Sequence, residues 1–351
     1  MPPITDHFGI AVGIDTYPSL RRLSSSVRDA TQFLEWVTDP DGGNVAKENV
    51  TLIRSPDEIA SDPFNARPVQ DEIDRALRDF GATSGQRIGG RLYFYFAGHG
   101  FGPSFDNVGM LMAGADMETL ARNIGLRDYR HYFHETGLFD EVVFIVDCCR
   151  DNALDERTSP PIFKIKPVEG RAARVVDFVA LAAGYGEQAF APVSVINGER
   201  RGILTTAVLE ALRGDPRAID PSGRITAATL QMYVKDRVKA IALDDKLKQD
   251  PELPQDPNPD MVFRVIDTTT LKKLRVHIIA PPALTGELIV RDARDLSKIV
   301  GRRPVAQAQE DNPWEIDLLP ITRYEIENPD SDKTEVLDPD KAKGEPYVFR
   351  F

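Results

Sequence analysis

Two segments of this 351-residue chain run through β-forming apolar residues and stop at a reactive side chain. Arg91-Leu92-Tyr93-Phe94-Tyr95-Phe96-Ala97-Gly98 leads to His99, and Glu141-Val142-Val143-Phe144-Ile145-Val146-Asp147-Cys148 leads to Cys149, 50 residues later. A buried strand holds whatever follows it rigidly, and the open carboxyl end of a parallel sheet is where α/β proteins place their chemistry. A thiol and an imidazole delivered this way are the minimal parts of a thiol hydrolase: sulfur attacks a carbonyl while the ring moves protons. A free thiol titrates at about 8.5, so a neighbouring imidazole is what makes it useful near neutrality. The remaining histidines, His7, His131, His134 and His277, lack such a partner and read as surface or core residues.

The elements that must position this pair are readable around it. Strands are expected at His7–Ile14, Asn49–Arg54, 91–97, 141–147, Phe178–Ala183 and Met261–Ile266. Between them, helical spacing of apolar residues marks helices after Ser24–Ser26 (Val27, Ala30, Phe33, Leu34, Val37) and over 69–80, 124–136, 202–213 and 226–243. A Gly-rich loop spans Gly98–Gly102, and Met110–Met112 belongs to a small hairpin arm. Strands alternating with helices predict an α/β fold with a mainly parallel sheet covered on both faces. The stretch 150–174 has little apolar period and reads as a long exposed loop. From about residue 271 short strands without helices follow, at 274–279, 287–291, 314–318, 323–326 and 347–351, which is an all-β module, most simply a small sandwich. The domains are therefore 1–267 and a β-rich accessory domain at 268–351.

Composition bounds the setting. At 42% hydrophobic the chain has the apolar residues for a full core and the length for two domains. There is no charged-then-apolar leader and no apolar run of about 18 residues, so neither a signal peptide nor a membrane span is expected. Its two cysteines, Cys148 and Cys149, are adjacent and cannot staple distant segments, which fits a reducing, cytoplasmic location. The net charge of −12 argues against nucleic-acid or anionic-membrane binding and suits a protein that attracts basic ligands.

Phe96-Ala97-Gly98-His99-Gly100 and Asp147-Cys148-Cys149-Arg150 resemble the two catalytic segments of the caspase–metacaspase superfamily of cysteine peptidases. Gly13-Ile14-Asp15 with Ser26-Val27-Arg28-Asp29-Ala30 supports the resemblance, as do Ala180-Leu181-Ala182-Ala183-Gly184 and Gly202-Ile203-Leu204-Thr205-Thr206-Ala207; it extends over about 7–266. The separation of histidine and cysteine is the ~50 residues expected of caspases. The resemblance implies a caspase-like fold with a large-subunit-like part at about 1–150, a linker at 151–174 and a small-subunit-like part at 175–267. It also implies Cys149 as nucleophile, His99 as proton carrier and the backbone amides of Gly100 and Cys149 as oxyanion donors. Cys148 points to the opposite face of an extended segment and reads as a small core residue.

Caspases cut after Asp and hold it with arginines, whereas metacaspases cut after Arg or Lys and hold it with carboxylates. Asp147 and Asp29 stand where the metacaspase pattern has its pocket acids, so the resemblance implies cleavage after basic residues. The chain departs from the pattern at Leu23, where caspases place an aspartate-reading arginine, with Arg21 and Arg22 close by; it departs again at Arg150-Asp151-Asn152, where metacaspases carry His-Ser-Gly. An Asp-specific peptidase therefore stays open as an alternative, as does a non-catalytic scaffold that binds a partner through its β domain. The 151–174 linker offers Arg157, Lys164, Lys166, Arg171 and Arg174 as processing sites, by the enzyme itself or by an activating protease. Glu187 and Gln188 match a region near the family's substrate groove and receive no role. Some metacaspases need calcium; Asp106, Asp116, Glu118 and Asp128 could supply oxygens, but no loop has EF-hand spacing, no Cys/His cluster suggests zinc, and no cofactor is expected. Expected partners are protein substrates with basic cleavage sites and an activating or regulatory protein, with no nucleic acid and no membrane.

Overall fold

In the computed structural model the described residues are all except 1, 117–119, 154–155, 172–173, 192–199, 255–257, 259 and 343. They form two compact units, 1–213 with 226–264, and 214–225 with 265–351. The excursion at 214–225 joins the second unit through contacts such as Arg294 Nη1 donating to the Ile219 carbonyl at 3.1 Å.

The first unit contains β1 (His7–Gly13), α1 (Ser26–Thr38), β2 (Val50–Arg54), α2 (Gln70–Phe80), β3 (Gly89–Ala97), β4 (Gly100–Ser104), β5 (Asn107–Leu111), β6 (Asn123–Gly125), α3 (Leu126–Thr136), β7 (Phe139–Asp147), β8 (Asp151–Asn152), β9 (Val176–Leu181) and α4 (Ile203–Leu212). Next in the chain come β10 (Arg224–Thr226), most of it in the second unit, then α5 (Ala227–Asp244) and β11 (Val262–Val265), whose last residue is also in the second unit. The central sheet is parallel, in the order β2-β1-β3-β7-β9. Residues 92–97 and 142–147 are buried throughout, which explains why these strands are unbroken apolar runs rather than alternating ones.

Register decides what the sheet presents. Gly13, Ala97 and Asp147 lie in one row at its carboxyl edge. Two residues beyond that row stand Asp15, His99 and Cys149. Asp15 Oδ1 accepts from the Ser26 amide at 2.8 Å and Oδ2 from Val27 at 3.4 Å, so the cap of α1 comes from the end of β1. The serines before the helix look like caps in the sequence, but Ser25 makes no side-chain capping bond.

Two expectations are corrected. Residues 100–102, read as part of a Gly98–Gly102 loop, belong to β4, which lies in a second small sheet in the order β6-β5-β4-β8. The stretch after Cys149, read as an exposed loop from 150, begins with a buried Arg150 and pairs with β4 through Phe101↔Asp151 and Gly102↔Asn152. β11 is not part of the five-stranded sheet.

The second unit holds β12 (Leu274–Ile279), β13 (Glu287–Asp292), β14 (Asp295–Pro304), β15 (Trp314–Leu318), β16 (Tyr324–Asn328), β17 (Lys333–Leu337) and β18 (Tyr347–Arg350). They form sheets in the orders β15-β12-β18 and β14-β13-β16-β17. One core, including Val276, Ile278, Leu288, Val290, Trp314 and Ile326, lies among them. β14 and β17 escape the sequence pattern because most of their residues are exposed, leaving no apolar alternation to read.

Candidate active site

His99 and Cys149 line the same two cavities, on elements that the sheet register places at one edge. The imidazole is held from three sides. Its Nε2 lies 2.7 Å from the Arg21 carbonyl; because a carbonyl only accepts, Nε2 carries the proton and Nδ1 is the basic nitrogen. The His99 amide donates to the Tyr17 hydroxyl at 3.0 Å, Tyr17 donates to the Leu111 carbonyl at 3.3 Å, and the Tyr17 ring packs edge-on against the imidazole at 4.9 Å. Burial lowers the His99 pKa from its ordinary value.

Cys149 is partly buried, whereas Cys148 is buried in the hydrophobic core. Burial raises both thiols, Cys148 much further. The Cys149 Sγ accepts from the Ala189 amide at 3.3 Å and faces the Ala189 carbonyl at 3.6 Å. Gln249, itself buried, fixes this neighbouring segment by accepting from the Phe190 amide at 2.9 Å and donating to the Ala182 carbonyl at 2.9 Å. Burial thus disfavours the charged form of both groups. Gly100 is glycine for a steric reason: a Cβ there would stand 2.4 Å from Cys148 Sγ and 2.8 Å from the Cys149 carbonyl.

Asp29 and Asp147 lie in the same cavity as the pair, a space of about 570 Å³. They are 1% and 8% exposed and form its floor, whereas Arg21, Arg22 and Arg200 are exposed residues on its walls. Both acids meet the N-terminus of α4. The Gly202 amide donates to Asp29 Oδ2 at 2.9 Å, and the Thr205 amide and hydroxyl donate to Asp147 Oδ2 at 3.0 and 2.6 Å. Tyr95 extends this chain, its hydroxyl lying 2.6 Å from Thr205 Oγ1. Helix-end donors favour negative charge, yet burial raises both carboxyls; with Asp147 nearby, Asp29 is pushed up to about 7. Asp29 Oδ1 is buried without a hydrogen bond among the described residues. A Cβ on Gly202 would come 2.1 Å from Asp147 Oδ2, so glycine lets the helix end reach both acids.

Arg150 is the largest side chain that is fully buried. Its Nη2 donates to the Phe105 carbonyl at 2.8 Å and the Asn107 carbonyl at 3.4 Å, and its Nη1 pairs with Glu252. The backbone following the candidate nucleophile is also bonded to Glu187 and Gly186, both at 2.9 Å. Sequence reasoning missed the roles of Tyr17, Gln249 and Arg150. The one available signal was Arg150 itself, an arginine immediately after the buried strand.

None of Arg157, Lys164, Lys166, Arg171 and Arg174 lines either cavity. Arg157, Lys164, Lys166 and Arg174 are exposed, and Arg171 is partly buried against Asp140. The linker is anchored at several places: Asn123 and Gln70 donate to the Arg157 and Pro160 carbonyls at 3.0 and 2.6 Å, the Val168 amide donates to Thr136 at 2.8 Å, and Phe163 packs against the core. Among the calcium candidates, Asp106 accepts from Ser104 at 2.7 Å and pairs with Arg127, Asp128 accepts from Thr158, and Glu118 lies outside the described residues. No group of three or more His, Cys, Asp or Glu able to hold a metal occurs among the described residues.

A parallel α/β sheet presenting an imidazole and a thiol at its carboxyl edge has the build of a thiol hydrolase. Residues 7–262 match the family model of the caspase domain, and the chain belongs to that family. A probable protease of a Desulfuromonadales bacterium is 29% identical over 232 residues, 60% of this chain. The aligned part is 26% of that relative's length, so the similarity concerns about a quarter of it. Family and relative together support a peptidase of the cysteine type. No helix among the described residues is long and apolar enough to cross a membrane.

Proposed function

We propose that the chain is a cysteine endopeptidase that cleaves after Arg or Lys. The observation that carries this reading is the floor of the cavity beside Cys149, built from two buried carboxylates on separate segments. Two buried acids repel each other and lose hydration; a guanidinium or ammonium entering between them relieves both costs. The arginines on the cavity walls are exposed, so solvent weakens their hold on an acidic side chain, which disfavours cleavage after Asp.

On this reading the Cys149 thiol gives its proton to His99 Nδ1 as sulfur bonds to the scissile carbonyl carbon. The oxyanion is met by the amides of Gly100 and Cys149, donors of a kind worth about 3–4 kcal/mol. The C–N bond then breaks, His99 protonates the departing amine, and water activated by the same ring hydrolyses the thioester to release the acid and the thiol. Arg21, through its carbonyl, keeps the ring in the tautomer this sequence requires, and Tyr17 holds the His99 backbone and packs against the ring. The substrates are proteins with basic cleavage sites in a cytoplasmic setting, and the role is regulated proteolysis of the kind tied to cell death or phage defence. An activating protease or regulatory protein acts on the 151–174 linker.

Hydrolysis of matched peptides ending in Arg, Lys or Asp tests the reading. Turnover of the Arg and Lys peptides, lost in Cys149→Ala, is expected. Preference for Asp would move recognition to Arg21 or Arg22, and no turnover of any peptide would leave a binding scaffold.

A further inference from the structure

A second cavity, of about 610 Å³, opens on the other side of Ala189 and Phe190, and these two residues, His99 and Cys149 line it as well. We propose that it is the subsite for the residue following the scissile bond, and that it takes a large apolar side chain. The inference rests on the Arg/Lys reading above, which assigns the acid-floored cavity to the residue before that bond.

Geometry favours the assignment once that premise is granted. A peptide carbonyl over Cys149 continues in two directions, one to the acyl side and one to the leaving amine. With the acyl side chain among Asp29 and Asp147, the leaving side occupies the space that still touches both His99, which protonates the amine, and Gly100, whose amide meets the oxyanion. Of the two cavities that the described residues form beside Cys149, the second does so.

Its lining sets the chemistry. Phe101, Leu111 and Leu120 are 3%, 2% and 7% exposed and face the cavity, and Leu20, Ala153 and Phe190 are partly buried around it. Its charged residues are Arg21 and Asp151, one of each sign and both exposed. A surface of this kind gives an apolar side chain a place to leave water and gives a charged one no buried partner. Preference for a leucine or phenylalanine over a glycine at this position should reach about tenfold to a hundredfold in kcat/KM.

Internally quenched peptides identical except for the residue after Arg (Leu, Phe, Gly or Asp) test this in the full chain, beside a peptidyl-arginine methyl ester that has no residue on that side. The expected order is Leu and Phe well above Gly, with Asp last. Ala153→Phe, which puts a large side chain into the cavity, should narrow the difference between Leu and Gly. Hydrolysis of the ester with equal cleavage of all four peptides overturns the subsite while leaving the Arg/Lys reading intact. A strong Leu preference that persists in a folded Ala153→Phe enzyme places the preference elsewhere and overturns it too. Failure to cleave ester and peptides alike overturns the premise and this inference with it.

Discussion

Asp29 should govern the acid limb of the pH profile. Burial, with the charge of Asp147 nearby, raises its carboxyl to about 7, and only the ionised form pairs with a guanidinium. With such a value roughly one free molecule in eleven is ionised at about pH 6, so kcat/KM for an arginine peptide should fall about tenfold per unit below neutrality. Burial lowers the His99 pKa, which moves its own titration to lower pH than that of an ordinary imidazole. Asp29→Asn keeps an acceptor for the Gly202 amide but removes the charge. Losing one charge-assisted contact costs about 1.5–3 kcal/mol, so the plateau should drop about tenfold to a hundredfold and the limb should move to lower pH. The same change should stabilise the fold. A carboxyl at about 7 when folded and 3.8 in its ordinary state holds an extra proton in the folded state between those values, so it makes stability fall as pH rises through that window. Asparagine has no such loss, so the variant should melt higher than wild type at about pH 8, with the gap closing toward about pH 4. Steady-state kinetics and thermal melts across the range check both halves. An Asp29→Asn profile superimposable on wild type in activity and melting would refute the reasoning.

Cys149→Ala and His99→Ala should each abolish peptidase activity without lowering the melting temperature much, whereas Cys148→Ala should retain much of it; brief alkylation followed by peptide mapping should find Cys149 labelled faster than Cys148. Gly100→Ala should reduce kcat more than it raises KM, since the new Cβ presses on Cys148 and on the Cys149 carbonyl at 2.4 and 2.8 Å. Incubated enzyme should be cut first at Lys164 and Lys166, which lie exposed between linker anchors, as mass spectrometry of the fragments would show. Changing all five linker basic residues to Gln should keep activity below that of processed wild type, and equal activity would deny the linker an activating role.

The parallel sheet was legible because its strands are buried on both faces and read as unbroken apolar runs, and the two reactive residues follow such runs directly. Helix α4 was legible from Ile203, Leu204, Ala207 and Val208, but its task of holding both acids at its N-terminus was not. That task depends on the Gly202 amide reaching Asp29, 173 residues away, and a local pattern carries no trace of it. Arg150 was misplaced for a related reason. A charged residue in a polar stretch reads as solvated, and only the carbonyls of Phe105 and Asn107 with the carboxylate of Glu252, all distant in sequence, make its burial affordable. Tyr17 looked like one more residue after β1 because its two partners, the His99 amide and the Leu111 carbonyl, come from other elements.

If the chain cleaves after Arg or Lys, as proposed, recognition and nucleophile activation are linked. Burial is the main reason the Cys149 thiol is raised, but the carboxylates of Asp151 and Asp147 raise it further. A guanidinium seated against Asp147 cancels part of that negative field, so an occupied pocket shifts the thiol toward thiolate just when a carbonyl is present to be attacked. A small guanidine such as butylguanidine should therefore speed alkylation of Cys149 by iodoacetamide, by about twofold to tenfold, since each pKa unit is worth a factor of ten in thiolate. Asp147→Asn should label faster than wild type without the additive and respond less to it. If butylguanidine inhibits peptide hydrolysis, proving that it is bound, yet leaves the alkylation rate unchanged, the pocket charge does not reach the sulfur and the two functions are independent.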